Sequence, residues 1–362
     1  MNFKKQEKQF KRVINYLKPS SHRAFRKLLD ERGISDQTMT ANINHHVLIS
    51  FSSEFWHDDM GRYAYLLVKH FRIAGYQIFF TPEFSFFSRL NKYKKLLQDE
   101  AFRFLEDSHL PADTLKIRDG RSERMIRVQK AKNANQLKES AVMAFPYMMH
   151  PYHYASSAYP GLPALRKNLR KGSLLFAGNA ERKNYSGGRV AGHFGKVPRY
   201  ELLAFLEAEL KTEQIHYPRE TQTSPEHKLL TVIRSSDFKI IAAEWLPTLS
   251  RYDFFLACPG SDMPMCHNVV EAMAVGCIPV LEYPEYFHPA LEDGKNCIIF
   301  RGKTDLLRQL RRIEQRDAAE IAQLRKGVLS YYDRFLAPES WTKSLAESEK
   351  TVLLFDAWKL AE

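Results

Sequence analysis

The chain has 362 residues, too many for one ordinary core and suited to two domains. Its hydrophobic fraction of 44% and charged fraction of 27% are those of a globular protein, which excludes a disordered chain as the default reading. The formal net charge of +12 points to an anionic partner: nucleic acid, an acidic membrane surface or a phosphorylated substrate.

Lys4, Lys5, Lys8, Lys11, Arg12, Lys18, Arg23, Arg26 and Lys27 make the N-terminal segment strongly basic. It reads either as a solvated helix face or as a contact for an anionic membrane surface. No apolar run reaches ~18 residues, so no transmembrane helix is expected. The first residues carry charge with no apolar stretch behind it, so no secretory signal is expected either. "HHVLISFS" (45–52) has the pattern of a buried strand, and the polar "SEFWHDDMGR" ends it. "RYAYLLVKHFRIAG" has helical spacing with Gly75 as a stop, and "YQIFF" is the next strand, so a βαβ unit is predicted near the N-terminus. Residues 84–140 read as mostly helical and basic, and "SAVMAF" (140–145) as a short strand.

"PYMMHPYHYASSAYPGLP" (146–163) is rich in Pro, Tyr and small residues and has no helical period, which predicts a linker. A second series of short strands follows at 174–177, 239–243, 254–257, 277–281 and 297–300, with helical patterns at 200–210, 265–275 and 304–312. Strand alternating with helix implies a mostly parallel sheet. The expected organisation is α/β, with an N-terminal domain over 1–165, a C-terminal domain over 166–340 and a last helix within 341–362. The four cysteines, Cys258, Cys266, Cys277 and Cys297, match no zinc spacing and sit beside apolar strand residues. Buried reduced thiols and a cytoplasmic setting are expected.

One stretch carries chemistry: "CPGSDMPMCHNVVEAMAVGCIPVL" (258–281). In an open α/β sheet, ligands bind beyond the C-terminal strand ends. Gly260 and Ser261 follow such an end, and Gly260 lets the backbone approach a ligand. The next helix presents its N-terminal amides to an anion such as a phosphate. Glu271 within that helix can accept both hydrogen bonds of a ribose diol; the alternative is an ordinary crossover with Glu271 facing solvent. "LLFAGNAERKNYSGGR" ends a second strand at Gly178 and follows it with Arg182 and Lys183, two cations able to neutralise a diphosphate or simply to line a solvated loop.

"LLFAGNAERK", then "LSRYDFFLACPGSDMPMCHNVVEAMAVGCIPVL" with "YFHP" after it, resembles the C-terminal domain of exostosin-like glycosyltransferases of the GT-B fold. The resemblance covers about residues 173–340. It implies two Rossmann-like domains facing a cleft, with the sugar nucleotide on the C-terminal domain and a final helix crossing back to the first. Carried over, Glu271 is the nucleotide-binding glutamate, Arg182 and Lys183 face the donor diphosphate, and Gly178, Gly260 and Ser261 belong to the loops around it. The family places Arg three residues before the glutamate; Asn268 stands there in this chain, and Met263 stands where retaining members carry an acid. No Asp-x-Asp occurs, in keeping with protein cations in place of a metal.

An inverting transfer needs a base for the acceptor hydroxyl. The loop after the first strand offers Asp58 and Asp59, ahead of His57; the alternative for the two acids is helix capping. The expected function is transfer of a sugar from a nucleotide-sugar to a glycan or lipid-linked acceptor in cell-surface glycan synthesis. No metal or further cofactor is expected, and the protein would be cytoplasmic or peripheral on an anionic membrane surface. A degenerate member that binds a nucleotide or glycan without turnover is the alternative. No nucleic-acid-binding signature accompanies the charge.

Overall fold

The computed structural model describes residues 18–32, 45–52, 54–105, 114–119, 125–130, 142–144, 148–185, 188–219, 228–261, 263–347 and 350–354. In chain order these form helix α1 (Pro19–Arg32), strand β1 (His46–Ser50), helix α2 (Arg62–Ile73) and strands β2 (Gln77–Phe80), β3 (Phe102–Phe104), β4 (Leu115–Asp119), β5 (Met125–Lys130) and β6 (Val142–Ala144). They continue with β7 (Gly172–Gly178), α3 (Arg199–Glu209), β8 (Ile215–His216), β9 (Leu230–Arg234), α4 (Ala242–Leu249), β10 (Tyr252–Leu256), α5 (His267–Ala274) and β11 (Ile278–Leu281). The last are β12 (Ile298–Ile299), α6 (Gly302–Gln315), α7 (Ala318–Tyr331), α8 (Pro338–Glu347) and β13 (Lys350–Leu354). The described residues fall into two compact units that divide at the end of β6; α8 and β13 belong to the first.

The first unit holds a sheet in the order β3-β2-β1-β4-β5-β13-β6. The first four strands are parallel, and β5 pairs antiparallel with both β4 and β13. Val47, Leu48 and Ile49 of β1 are all buried, the continuous apolar run of a parallel strand covered on both faces. Helix α2 buries eight of its twelve residues, and α8 brings Trp341 against His70 and Phe71, with ring centroids 5.5 and 6.3 Å apart. Helix α1 docks by Phe25, whose ring lies 5.4 Å from Phe84 and 6.4 Å from Phe104.

Among the described residues of 84–140, strand outweighs helix. Two short turns, Phe84–Phe87 and Lys94–Asp99, precede the strands β3, β4 and β5. In β3 and β4 the basic residues Arg103, Lys116 and Arg118 alternate with buried Phe102, Phe104, Leu115 and Ile117. That is strand periodicity, which the basic composition masked.

The second unit is a six-stranded sheet in the order β12-β11-β10-β7-β9-β8, parallel throughout. Its middle is formed by Leu174, Leu175, Phe176, Phe254, Phe255, Leu256, Ile278 and Val280, all buried. Three expectations are corrected. The strand beside β7 is β9, "LTVIR", and not 239–243; Ile241 is exposed and caps α4. Residues 146–168 are not a free linker: among the described residues there, Met148, Met149, His153, Tyr154 and Leu162 are buried. Arg166 anchors the segment by donating from Nε to Ala274 O at 2.8 Å and pairing with Asp333 at 2.7 Å. Apolar Met and Tyr side chains found a surface to cover, which the Pro-rich composition did not reveal. Third, within the predicted helix of 341–362 the last described helix ends at Glu347, and β-branched Thr351 and Val352 follow in strand β13; residues 355–362 lie outside the described residues. Among the described residues no helix is long and apolar enough to cross a membrane.

Candidate functional site

In the second unit the chain runs from β7 to β9 and β8 on one side, then returns to β10, β11 and β12 on the other. The winding reverses between β7 and β10, where loops beyond the strand ends part and leave room for a ligand. Both stretches singled out in the sequence leave these two neighbouring strands.

β7 ends at Gly178, with φ +150°. Asn179 Oδ1 accepts the Glu181 N–H at 2.9 Å and starts the turn Arg182–Tyr185. Arg182 and Lys183 are exposed on that turn; Lys183 Nζ is 3.1 Å from the Glu181 carboxylate, and the Arg182 guanidinium stands 5.8 Å over the Tyr200 ring. After β10, the Gly260 N–H bonds to Pro264 O at 3.1 Å, and a Cβ on Gly260 would lie 2.6 Å from Met263 O. The turn itself therefore demands glycine at 260. Ser261 is exposed beside it.

The residue that joins the two loops is Arg199, the first residue of α3, which is 4% exposed. Its Nη1 donates to Asn179 O at 3.0 Å and its Nε to Pro259 O at 3.2 Å. Nη2 reaches Cys258 O at 3.5 Å and Cys266 Sγ at 3.4 Å, and the Tyr185 ring lies 4.2 Å from the guanidinium. All these partners are neutral acceptors or faces, and among the described residues Arg199 has no carboxylate in ion-pair range. A desolvated cation without a counter-charge costs several kcal/mol, and an anion placed beside it recovers part of that. Helix α5 starts at the same edge. Its N-cap residue Cys266 makes no side-chain cap bond, and Asn268, 8% exposed, has an Oδ1 with no hydrogen-bond partner. Turned over, the Asn268 amide offers two N–H donors to an anion.

Glu271 lies one turn along α5 and is 1% exposed. Oε1 accepts the His150 N–H at 2.7 Å and lies 3.5 Å from His153 Nε2; Oε2 accepts from Trp245 Nε1 at 2.5 Å. Burial pushes the carboxyl up, but His267, His153 and the His150 N–H outweigh it and hold it at about 2. Both oxygens are engaged inside the unit, so a ribose diol reaches Glu271 only by displacing these donors. Burial pushes the Cys258 and Cys277 thiols up to about 12 and that of Cys297 up as well; Cys266 is the cysteine that is not fully buried. Among the described residues no group of three or more His, Cys, Asp or Glu is arranged to hold a metal ion.

The first unit places the other candidates on the 3-10 turn Glu54–Gly61 after β1. His57 is 7% exposed, with Nε2 3.2 Å from Ser85 O and Nδ1 3.2 Å from Lys94 Nζ, so both nitrogens face internal partners. Asp59 pairs with Arg62 Nε at 3.1 Å. The side chain of Asp58 lies outside the described residues. The N-cap position of α2 is Gly61, which makes no side-chain cap bond.

Two residues at these edges were not singled out in the sequence. Asp119 ends β4 and accepts from Ser52 N–H at 2.7 Å, Ser52 Oγ at 3.1 Å and Trp56 Nε1 at 2.5 Å, fixing the loop after β1. Arg199 left no signal in the sequence, because what marks it is its burial against the loops after β7 and β10. No protein-family model matches this chain, and no curated protein matches it.

Proposed function

We propose that the chain is a glycosyltransferase that moves a sugar from a nucleotide-sugar to a glycan or lipid-linked acceptor, with the second unit holding the donor. The observation that carries this reading is Arg199, a desolvated guanidinium with neutral partners at the reversal between β7 and β10. Breaking the bond from the anomeric carbon leaves a nucleoside diphosphate with growing negative charge. A preorganised cation and helix amides stabilise that charge without reorganising. Arg182 and Lys183, exposed on the neighbouring turn, add a positive rim. Protein cations thus balance the diphosphate where other glycosyltransferases use a metal. The resemblance of 173–340 to exostosin-like enzymes supports the same reading, and the basic N-terminal segment supports work at an anionic membrane face.

Two observations favour a second reading, a nucleotide or glycan binder without turnover: Glu271 is fully engaged inside the unit, and neutral Asn268 stands where the family carries a cation. Thermal-shift screening against UDP, GDP, CMP and a single-stranded oligonucleotide tests binding, and release of nucleoside diphosphate from UDP- and GDP-sugars tests turnover. Stabilisation by a nucleoside diphosphate with turnover is the expected result. Binding without turnover selects the second reading, and stabilisation by the oligonucleotide alone contradicts both.

A further inference from the structure

Three histidines lie near the buried carboxylate of Glu271: His153 by its ring, His150 by its backbone N–H, and His267 four residues earlier on the same helix. The rings of His150 and His267 lie 5.7 Å apart and those of His150 and His153 6.2 Å apart. We infer that His267 is the proton acceptor for the incoming hydroxyl and that Glu271 is its positioning residue; this rests on the glycosyl-transfer reading above.

The three histidines differ in what they can reach. His153 is 2% exposed, with Nε2 turned to Glu271. His150 is half-buried and uses Nδ1 to accept the Tyr152 N–H at 3.4 Å as the cap of the turn Pro151–Ala155. His267 is half-buried and opens α5, directly after Cys266, whose Sγ touches the Arg199 guanidinium at 3.4 Å. Its place in the chain is thus one residue from a contact of the cation that would hold the leaving diphosphate. Four residues on, Glu271 is on the same helix face and interacts electrostatically with it. The Glu271 carboxylate stabilises the imidazolium that forms as the proton is taken.

The step balances. The acceptor oxygen forms its bond to the anomeric carbon as its proton passes to a His267 nitrogen. The bond from the anomeric carbon to the diphosphate oxygen breaks, and its electron pair leaves with the nucleoside diphosphate. The imidazolium then returns its proton to solvent. In a hydrolysis assay, water takes the place of the acceptor hydroxyl.

The test measures release of nucleoside diphosphate from UDP-glucose, UDP-N-acetylglucosamine and GDP-mannose between pH 5 and 9, with UDP and GDP affinity measured by calorimetry. The full-length chain, His267→Gln and Glu271→Gln are compared, each checked for folding by circular dichroism. In His267→Gln, turnover is expected to fall by about 10²–10³-fold, the range of a lost general base, while diphosphate affinity stays within about threefold. The acidic limb of the pH profile should vanish in this variant and move to lower pH in Glu271→Gln. Unchanged turnover and pH profile in His267→Gln overturns the inference and leaves the donor reading standing. Equal losses of turnover and affinity make His267 a diphosphate ligand and also overturn it. Failure of the unaltered chain to bind UDP or GDP defeats the donor reading and this inference together.

Discussion

Glu271 keeps its charge in the interior because donors meet both of its oxygens, and neutralising it would leave His153 and Trp245 facing a weaker acceptor. Its carboxyl titrates near 4.5 unfolded and about 2 folded. The stability it contributes is therefore complete above pH 4.5 and is lost as pH falls through about 2. Across that window the loss approaches ~1.4 kcal/mol per pH unit, the value for one proton. Urea unfolding at pH 5, 4 and 3 checks this: Glu271→Gln should be less stable than the unaltered chain at pH 5, and the difference should shrink steadily toward pH 3 without vanishing there. Parallel pH dependences would show that Glu271 contributes nothing as an anion. Asp119 makes a related case in the first unit. Asp119→Ala removes the acceptor of Ser52 and Trp56 and should cost about 1–3 kcal/mol, with Trp56 fluorescence reporting the released loop. Unchanged midpoint and fluorescence would contradict that role.

At the scale of elements, close approach governs which backbone positions tolerate change. Gly327 sits inside α7 where a Cβ would come within 1.9 Å of Lys295 O, so Gly327→Ala must push the helix from the loop before β12. The expected cost is about 1–3 kcal/mol. Gly192 closes a short turn with nothing within 4 Å of an added Cβ, so Gly192→Ala should leave the melting temperature unchanged or slightly raised. Equal melting temperatures for the two variants would refute the crowding argument. The elements readable in the sequence were those whose apolar pattern is set by one sheet: β1, α2, β2, β7, β10, α5 and β11 all fall where periodicity put them. β3 and β4 were hidden because their charges alternate within a basic region. β9 was passed over although "LTVIR" is β-branched and buried. At the site, the loops at 178–183 and 259–261 were legible because glycine after an apolar strand marks a strand end. Arg199 was not, because its importance comes from burial between two loops about 20 and 60 residues away. The engagement of Glu271 by His150 was hidden for the same reason, at a separation of 121 residues.

At the scale of the whole molecule, the chain leaves its first unit after β6, builds the second, and returns at Pro338. Helix α8 then covers α2, and β13 supplies the antiparallel partner of β5. A chain ending at Ala337 should therefore lose the first unit and keep the second. Hydrogen exchange would show α2 unprotected and α5 still protected, and undiminished protection of α2 would contradict this division. The second unit then carries the central claim, an anion site built around Arg199. Calorimetric titration of the full chain with UDP and GDP, in the presence of a metal chelator, measures it most directly when repeated on Arg199→Gln, which removes the charge and keeps an N–H donor. The account requires binding by the unaltered chain that weakens as salt rises, and a loss of at least about tenfold in Arg199→Gln with the fold intact. Equal affinity in the two proteins, or no binding of either nucleotide by the unaltered chain, would contradict it.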